Sequence, residues 1–374
     1  MSQTLRVGYV PLADAALLIV AQRKGFAEAR GLRLDLVRET SWANIRDKLA
    51  LGYFDAAHML APAAIACSLG LAQVRAPLRA VAGLGLNGNA ITVSKALFEA
   101  LSAAADGDLA DPAVSARALR AVVTARKLQK AALLTFAHVF PYSSHHYQLR
   151  IWMAAGGVDP DNDVNLLVLP PPFMARSLEL GQIDGFCVGA PWNSVAVEAG
   201  AGFILHPCCQ IVRDCPEKIL ATRLDGADSD HVDEEIIRSS LRDASDWCAD
   251  AANHQELADM LAADCGPPVM RGTMERILAG ELQIGRGGGP ILPDYLCLEP
   301  AATLLSGSQG LWLYAQMVIA GQTAYSETGA RLAADVFVSG ASPRGLERQP
   351  QSFAGPFFDA AHVRDFIRRS APPI

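Results

Sequence analysis

The 374-residue sequence predicts an α/β protein built from two similar lobes, with a mostly helical portion after them. Three observations carry that prediction. Residues 48–64, "KLALGYFDAAHMLAPAA", lie over 177–193, "SLELGQIDGFCVGAPWN", without a gap, and match at Leu49/Leu178, Leu51/Leu180, Gly52/Gly181, Asp55/Asp184, Ala61/Ala190 and Pro62/Pro191. Around each window runs the order strand, helix, strand, helix, strand, and the copies are offset by 129 residues, the step from Asp55 to Asp184. Beyond about residue 223 the apolar spacing is helical.

The elements follow in chain order. In the first copy, "LRVGYV" is a β-rich run and "PLADAALLIVAQRKGFAEARG" a helical stretch broken by Gly31. "LRLDLV" alternates as a strand, "RETS" is a loop, "WANIRDKLALG" has helical apolar spacing and "FDAAHMLA" returns as a strand. The second copy repeats this with "ALLTFAHVF", then "PYSSHHYQLRIWMAAGG", "VNLLVL", "PPPFMARSLELGQ" and "IDGFCVGA". Lobe 1 is expected to take residues 1–95 and 223–374, including the helical extension, and lobe 2 residues 115–215, with crossovers near 96–114 and 216–222. Residues 337–357 read as an irregular tail.

Composition bounds the function. With 51% hydrophobic and 19% charged residues, a substantial buried core is expected. A net charge of −7 argues against a nucleic-acid surface, which needs a basic face. The first residues show no basic segment followed by an apolar run and cleavage site, and no apolar run reaches the ~18 residues of a membrane span. Eight cysteines follow no regular framework and read as reduced thiols, so a soluble cytoplasmic location is expected.

Paired parallel sheets predict where a ligand sits. Ligands bind beyond the carboxyl ends of parallel strands, where loops lead into helix N-termini that favour anions. Two facing lobes would enclose a small anion between "PLADA", "RETSW" and "HMLAP" on one side and "PYSSHH", "PPPF" and "CVGAPWN" on the other. Of the adjacent pair His145 and His146, at most one can face such a ligand. Trp42 stands at a loop-to-helix junction, where an indole N–H could line a cleft, whereas Trp152 reads as core. Lys218 is one of six lysines, and spacing alone leaves it a solvated charge. "HPCCQIVRDC" lacks the ligand pairs of a metal site, "GRGGGP" lacks the Lys-Ser/Thr of a phosphate loop, and neither GxSxG nor HExxH occurs. Asp55 and Asp184, at equivalent places, are expected to share a structural role, not to form an acid/base pair.

The stretches "SWANIRDKLALGYFDAAHMLAP", "LNGNAITVS", "SSHHYQLRIWMAAGGVDPDNDVNLLVLPPPFMARSLELGQIDGFCVGAPWN" and "CPEKIL" resemble the nitrate-binding branch of the type II periplasmic-binding-protein superfamily. That branch holds nitrate and bicarbonate receptors of ABC transporters and cytoplasmic nitrate/nitrite sensors. The resemblance implies a two-lobed clamshell with parallel-rich sheets that closes over one small oxyanion, without cofactor, metal or catalysis. It carries binding roles onto Trp42, onto Asn89 (where the branch usually has glutamine), onto His145 and onto Lys218, with Pro171 and Val188 as lining neighbours. An indole N–H, an amide, an imidazole and an ammonium can surround the three oxygens of nitrate, with the lysine balancing its charge. Bicarbonate-binding relatives replace that lysine by an acidic residue and calcium, so Lys218 favours nitrate or nitrite. Asn89 is one methylene short, which implies a tighter cleft or a bridging water.

With no export signal or tether, the resemblance implies a sensor that holds an ANTAR-type RNA-binding antiterminator and releases it on binding nitrate. Such a protein touches neither nucleic acid nor membrane directly. The acidic stretch from Val232 to Asp264 is a candidate partner surface. The rival expectations are a transporter receptor whose true start lies upstream and a biosynthetic enzyme on the same scaffold.

Overall fold

Strand β1 (Gln3–Tyr9) runs parallel to β2 (Leu32–Arg38) on one side and to β3 (Ala56–Leu60) on the other. The structure is a computed structural model that describes residues 3–71, 74–224, 233–337 and 348–370. Strands β4 (Leu78–Asn87), β5 (Asn89–Ser94), β6 (Leu134–His138), β7 (Val164–Val168), β8 (Gly185–Gly189), β9 (Gly202–Pro207), β10 (Val212–Arg213), β11 (Pro216–Arg223), β12 (Leu296–Cys297) and β13 (Gln351–Ser352) follow. They form a six-stranded sheet in the order β12-β4-β11-β3-β1-β2, a five-stranded sheet in the order β7-β6-β8-β5-β9, and a small β10-β13 pair. In the second sheet β6 is parallel to β7 and β8, as β1 is to β2 and β3. The two-lobed, parallel-rich architecture expected from the repeat is therefore present.

Asp55 and Asp184 have the shared structural role expected of them. Asp55 accepts a hydrogen bond from the Arg6 backbone N–H at 2.7 Å and returns its own N–H to the Arg6 carbonyl at 2.9 Å. Asp184 does the same with Thr135, at 2.8 and 2.7 Å. Each carboxylate thus clamps the start of the return strand to the neighbouring strand it runs parallel to.

The lobe boundaries differ from the expected ones. Strand β5 belongs to the second sheet, antiparallel to β8 and β9, and β11 is an interior strand of the first, antiparallel to β3 and β4. Residues 96–114 are no crossover: they hold most of the helix Lys95–Ala104 and the start of Pro112–Leu128. The chain changes lobes at Asn87 and Gly88, both left-handed (φ 62° and 89°), and returns near Cys215. The two passages are bonded side by side. Asn87 N–H donates to the Cys215 carbonyl at 3.0 Å, and Cys215 N–H donates to Asn87 Oδ1 at 2.9 Å. A side chain at Gly88 would be strained at that φ and would meet Leu296 Cδ1 at 2.9 Å.

Local sequence explains how helices start at the carboxyl ends of these strands. Ser41 caps Trp42–Ala50, accepting from Asn44 N–H at 3.2 Å, and Trp42, Ile45, Arg46 and Leu49 form its buried stripe. Ser143 caps Ser144–Ala155 in the same way, accepting from His146 N–H at 3.2 Å.

The later part is helical as expected, with Glu234–Ala249, His254–Cys265, Arg271–Leu278, Gly307–Ile319, Glu327–Val336 and Val363–Ser370. Of the proposed partner stretch, Val232 lies outside the described residues, as do 338–347 of the expected tail. Asp264, at its other end, is buried; Arg38 donates to it at 2.9 Å and the Tyr9 hydroxyl at 3.1 Å. It is therefore removed from that surface. Among the described residues no helix is long and apolar enough to cross a membrane.

Candidate functional site

The two strands that exchange between lobes begin at the same place. Asn89, first in β5, lies beside Gly189 at the carboxyl end of β8, and Lys218, third in β11, pairs with Leu60 at the carboxyl end of β3. Three further elements bring side chains to this junction: the turn Ala13–Ala15 after β1, the helix Trp42–Ala50 after β2 and the helix Ser144–Ala155 after β6. The meeting point is thus set by topology, since every contributor is the first turn after a strand end or a strand that crosses there.

Four of the six expected residues meet. The Lys218 ammonium is buried, 5.1 Å from the centre of the Trp42 ring. It contacts Glu217 Oε1 at 2.6 Å and Asp14 Oδ2 at 2.9 Å. His145 Nε2 lies 3.4 Å from the same Glu217 oxygen. Asn89 donates to Gln148 Oε1 at 3.0 Å, with Ser144 Oγ at 3.5 Å. His58 completes the group, with Nε2 3.2 Å from Asp14 Oδ1 and its ring edge-on to Trp42 at 5.2 Å.

Two expected residues do not join them. A Cβ placed on Gly189 would point at Asp14 and Asn89, so its strand neighbour Val188 faces the other side of the sheet. Pro171 stands at the repeat position of Trp42 and opens the turn Pro171–Phe173, but its side chain has no polar atom and no described contact ties it to Lys218. His145 and His146 part as expected: His146 Nδ1 turns to His138 Nε2 at 3.3 Å.

Sequence reasoning missed Asp14, His58, Gln148 and Glu217. Gln148 had a usable signal, since it lies three residues after His145 and shares its helix face. Glu217 lay inside the quoted "CPEKIL". Asp14 lay inside the quoted "PLADA", but the repeat places Ser143 opposite it and so did not single it out.

The electrostatics revise the expected role of Lys218. Burial works against its charge, but Asp14 and Glu217 together outweigh it and raise its pKa, so it stays an ammonium. Burial also pushes the Asp14 carboxyl up, yet Lys218 and His58 overcome that and hold it below the ordinary range. Glu217 goes the other way. Burial raises it, with Asp14 adding to the effect, and Lys218 and the Asn89 amide only partly oppose the rise. Burial, with Lys218 adding to it, lowers His145 well below its usual value, and burial lowers His58. Lys218 is therefore already balanced by two carboxyls and is not a spare positive charge.

Several buried polar atoms here have no hydrogen-bond partner among the described residues: Trp42 Nε1, both ring nitrogens of His145, Gln148 Nε2 and Glu217 Oε2. The Glu217–His145 approach is close but misaligned for a hydrogen bond. Unpaired buried donors each cost about 1–3 kcal/mol, so three donor-capable side chains (an indole, an imidazole and an amide) around one ammonium make a site suited to a small acceptor-rich group. No group of three or more His, Cys, Asp or Glu among the described residues could hold a metal ion. Of the thiols, Cys187 and Cys208 lie 3.6 Å apart, both free, and Cys215 lies close enough to Glu217 and Lys218 to feel their charges.

Known proteins share this sequence and fold. The chain is 34% identical over 321 residues to the nitrate import ATP-binding protein NrtC of Synechocystis sp., covering 84% of this chain and 45% of that protein. It is 38% identical over 266 residues to the bicarbonate transport ATP-binding protein CmpC of Synechococcus elongatus, covering 69% and 37%. It thus spans about half the length, or less, of these two relatives. The crystal structure of the periplasmic nitrate-binding protein NrtA from Synechocystis PCC 6803 superposes with a TM-score of 0.84 at 23% identity, over 98% of both chains. With the two sheets, the exchanged strands and the matched residues 1–262 in place, the chain belongs to the NMT1-like family and has a periplasmic-binding-protein-like fold.

Proposed function

We propose that this chain binds nitrate or nitrite between its lobes, and that it is a cytoplasmic sensor which holds an ANTAR-type RNA-binding antiterminator until the anion arrives. The observation that carries the anion reading is the buried Lys218 ammonium, with the unpaired N–H groups of Trp42, His145 and Gln148 around it. A planar, singly charged oxyanion accepts from such donors. Sequence relatives named for nitrate import and bicarbonate transport support the same class of ligand. Lys218 favours nitrate and nitrite over bicarbonate, because no carboxylate-and-metal arrangement replaces it among the described residues.

Calorimetry with nitrate, nitrite, bicarbonate and sulfate tests the anion reading. Saturable binding of the first two is expected, abolished by Lys218→Glu. Nitrate binding undiminished in that variant removes Lys218 from the site. For the sensor, the expected result is a complex with an ANTAR-domain protein that dissociates when nitrate is added. Release requires the anion to favour the free protein over the complexed one, and that difference in affinity is the coupling.

The names of the relatives favour a second reading, a receptor that delivers the anion to a transporter. Fractionation of native cells separates the two: export from the cytoplasm overturns the sensor.

A further inference from the structure

We propose that the anion enters this site together with one proton, held by the Glu217–His145 pair, so that Glu217 makes occupancy depend on pH as well as on anion concentration. The proposal rests on the anion-binding reading above and adds to it a gate that nitrate chemistry alone does not require.

The geometry leads there by charge counting. With both carboxyls ionised and both histidines neutral, Asp14, Glu217 and Lys218 sum to one negative charge inside a site whose side chains are all buried. A second negative charge at van der Waals distance would leave the cluster at minus two in a buried site that screens charge poorly. One proton restores the original balance. It also changes the hydrogen-bond character of Glu217, whose buried Oε2 has no hydrogen-bond partner among the described residues. As a carboxylate that oxygen can only accept and would repel an anion; as a carboxylic acid it can donate to one.

The choice of group follows from what each one faces. Glu217 meets Lys218 from its own strand at 2.6 Å and His145 from the helix Ser144–Ala155 at 3.4 Å. The Asn89 amide from β5 holds its charge in place, Asp14 from the Ala13–Ala15 turn repels it, and Cys215 lies close enough to feel it. His145 in turn faces Lys218, Asp14 and the edge of the His138 field. Glu217 is the carboxyl that burial holds above its ordinary value, whereas Asp14, between Lys218 and His58, is held below it. Protons therefore go to the Glu217 side of Lys218. Because Glu217 and His145 share one space, the proton belongs to the pair. His58 is the rival acceptor, since its ring lies against Asp14.

Calorimetry of the full chain with nitrate, in buffers of different ionisation enthalpy, counts protons directly and needs no variant. The expected result is uptake of about one proton per nitrate, with Kd rising about tenfold per pH unit on the alkaline side. Glu217→Gln should bind nitrate with an affinity nearly independent of pH and with no uptake, and His58→Gln should keep the wild-type slope. Nitrate binding without uptake in the wild type overturns the proposal and leaves the anion reading standing. So does uptake that survives in Glu217→Gln and vanishes in His58→Gln. Absence of any oxyanion binding in wild type and Glu217→Gln alike overturns both.

Discussion

Asn89 Nδ2 donates to the amide oxygen of Gln148 at 3.0 Å, and the Gln148 amide nitrogen is buried with no hydrogen-bond partner among the described residues. On the proposed anion reading, Gln148 makes up the methylene that Asn89 lacks relative to the glutamine the resemblance implies. Asn89 orients Gln148, and Gln148 presents the N–H. Hydrogen bonds to charged groups contribute about 1.5–3 kcal/mol, so Gln148→Leu should weaken nitrate binding roughly 10- to 100-fold. Asn89→Gln alone should also weaken it, because the longer side chain overpacks a fully buried position. The double variant Asn89→Gln/Gln148→Ala should recover most of the loss. Titration calorimetry on the three variants checks this, and a double variant no better than Gln148→Leu would show that the two amides do not act in series.

Asp184 and Asp55 hold the sheets together at equivalent points, and neither is near Lys218 in the contact network. Replacing either by alanine leaves a strand N–H unpaired, which costs about 1–3 kcal/mol when that group is shielded from water. Asp184→Ala is expected to lower the urea midpoint accordingly while nitrate affinity of the folded protein is unchanged. Asp184→Asn, which retains an acceptor oxygen, should lose less. A drop in affinity matching the drop in stability would place Asp184 in the binding machinery instead.

How much of this could be read in the sequence depended on whether a residue belonged to a repeating pattern. The paired lobes and the Asp55/Asp184 equivalence repeat at the same offset and were legible, whereas the two Ser-capped helices follow different strands of the repeat, β2 and β6. The lobe edges were missed although Asn87-Gly88 is a turn dipeptide: the backbone turns left-handed there and changes sheets between two strand-like runs. Asp14 and His58 were hidden for the opposite reason. They break the repeat, standing opposite Ser143 and Cys187, and a site made by joining two unlike halves concentrates its chemistry where the halves differ.

Acid should destabilise the fold through histidines that lie away from Lys218. Burial depresses His138 and His206 to about 4, and burial also lowers His146 well below its ordinary value. The sign is set by which state binds protons. Between about pH 6.5 and about 4 the unfolded chain protonates these rings and the folded chain does not, so stability falls as pH falls, by about 1.4 kcal/mol per pH unit for each histidine. His206, whose Nε2 lies 2.6 Å from Ser115 Oγ, is the simplest one to remove. In His206→Gln the slope of unfolding free energy against pH across that window should be shallower by one proton. Urea unfolding at several pH values measures it, and an unchanged slope would mean that His206 is already protonated in the native protein.

Two contacts join the lobes away from Lys218. The Arg46 guanidinium, on the first-lobe helix Trp42–Ala50, lies 5.3 Å from the ring centre of Phe140, which follows β6 in the second lobe. Nearby the Tyr142 hydroxyl donates to the Leu71 carbonyl at 2.9 Å. Both contacts exist only while the lobes are together, so they favour the closed form without touching an anion. A partly shielded cation–π contact contributes about 0.5–2 kcal/mol and a neutral hydrogen bond about 1 kcal/mol. Phe140→Ala and Tyr142→Phe should therefore each speed nitrate dissociation, by roughly 2- to 30-fold, because the closed state is what must open for release. Association should hardly change, since the anion meets the open form in which neither contact is made. Stopped-flow tryptophan fluorescence resolves the two rates, with Trp42 as the reporter beside Lys218. If the variants slow association and leave dissociation alone, the two contacts form before the anion binds, and the closed form is the one that captures it.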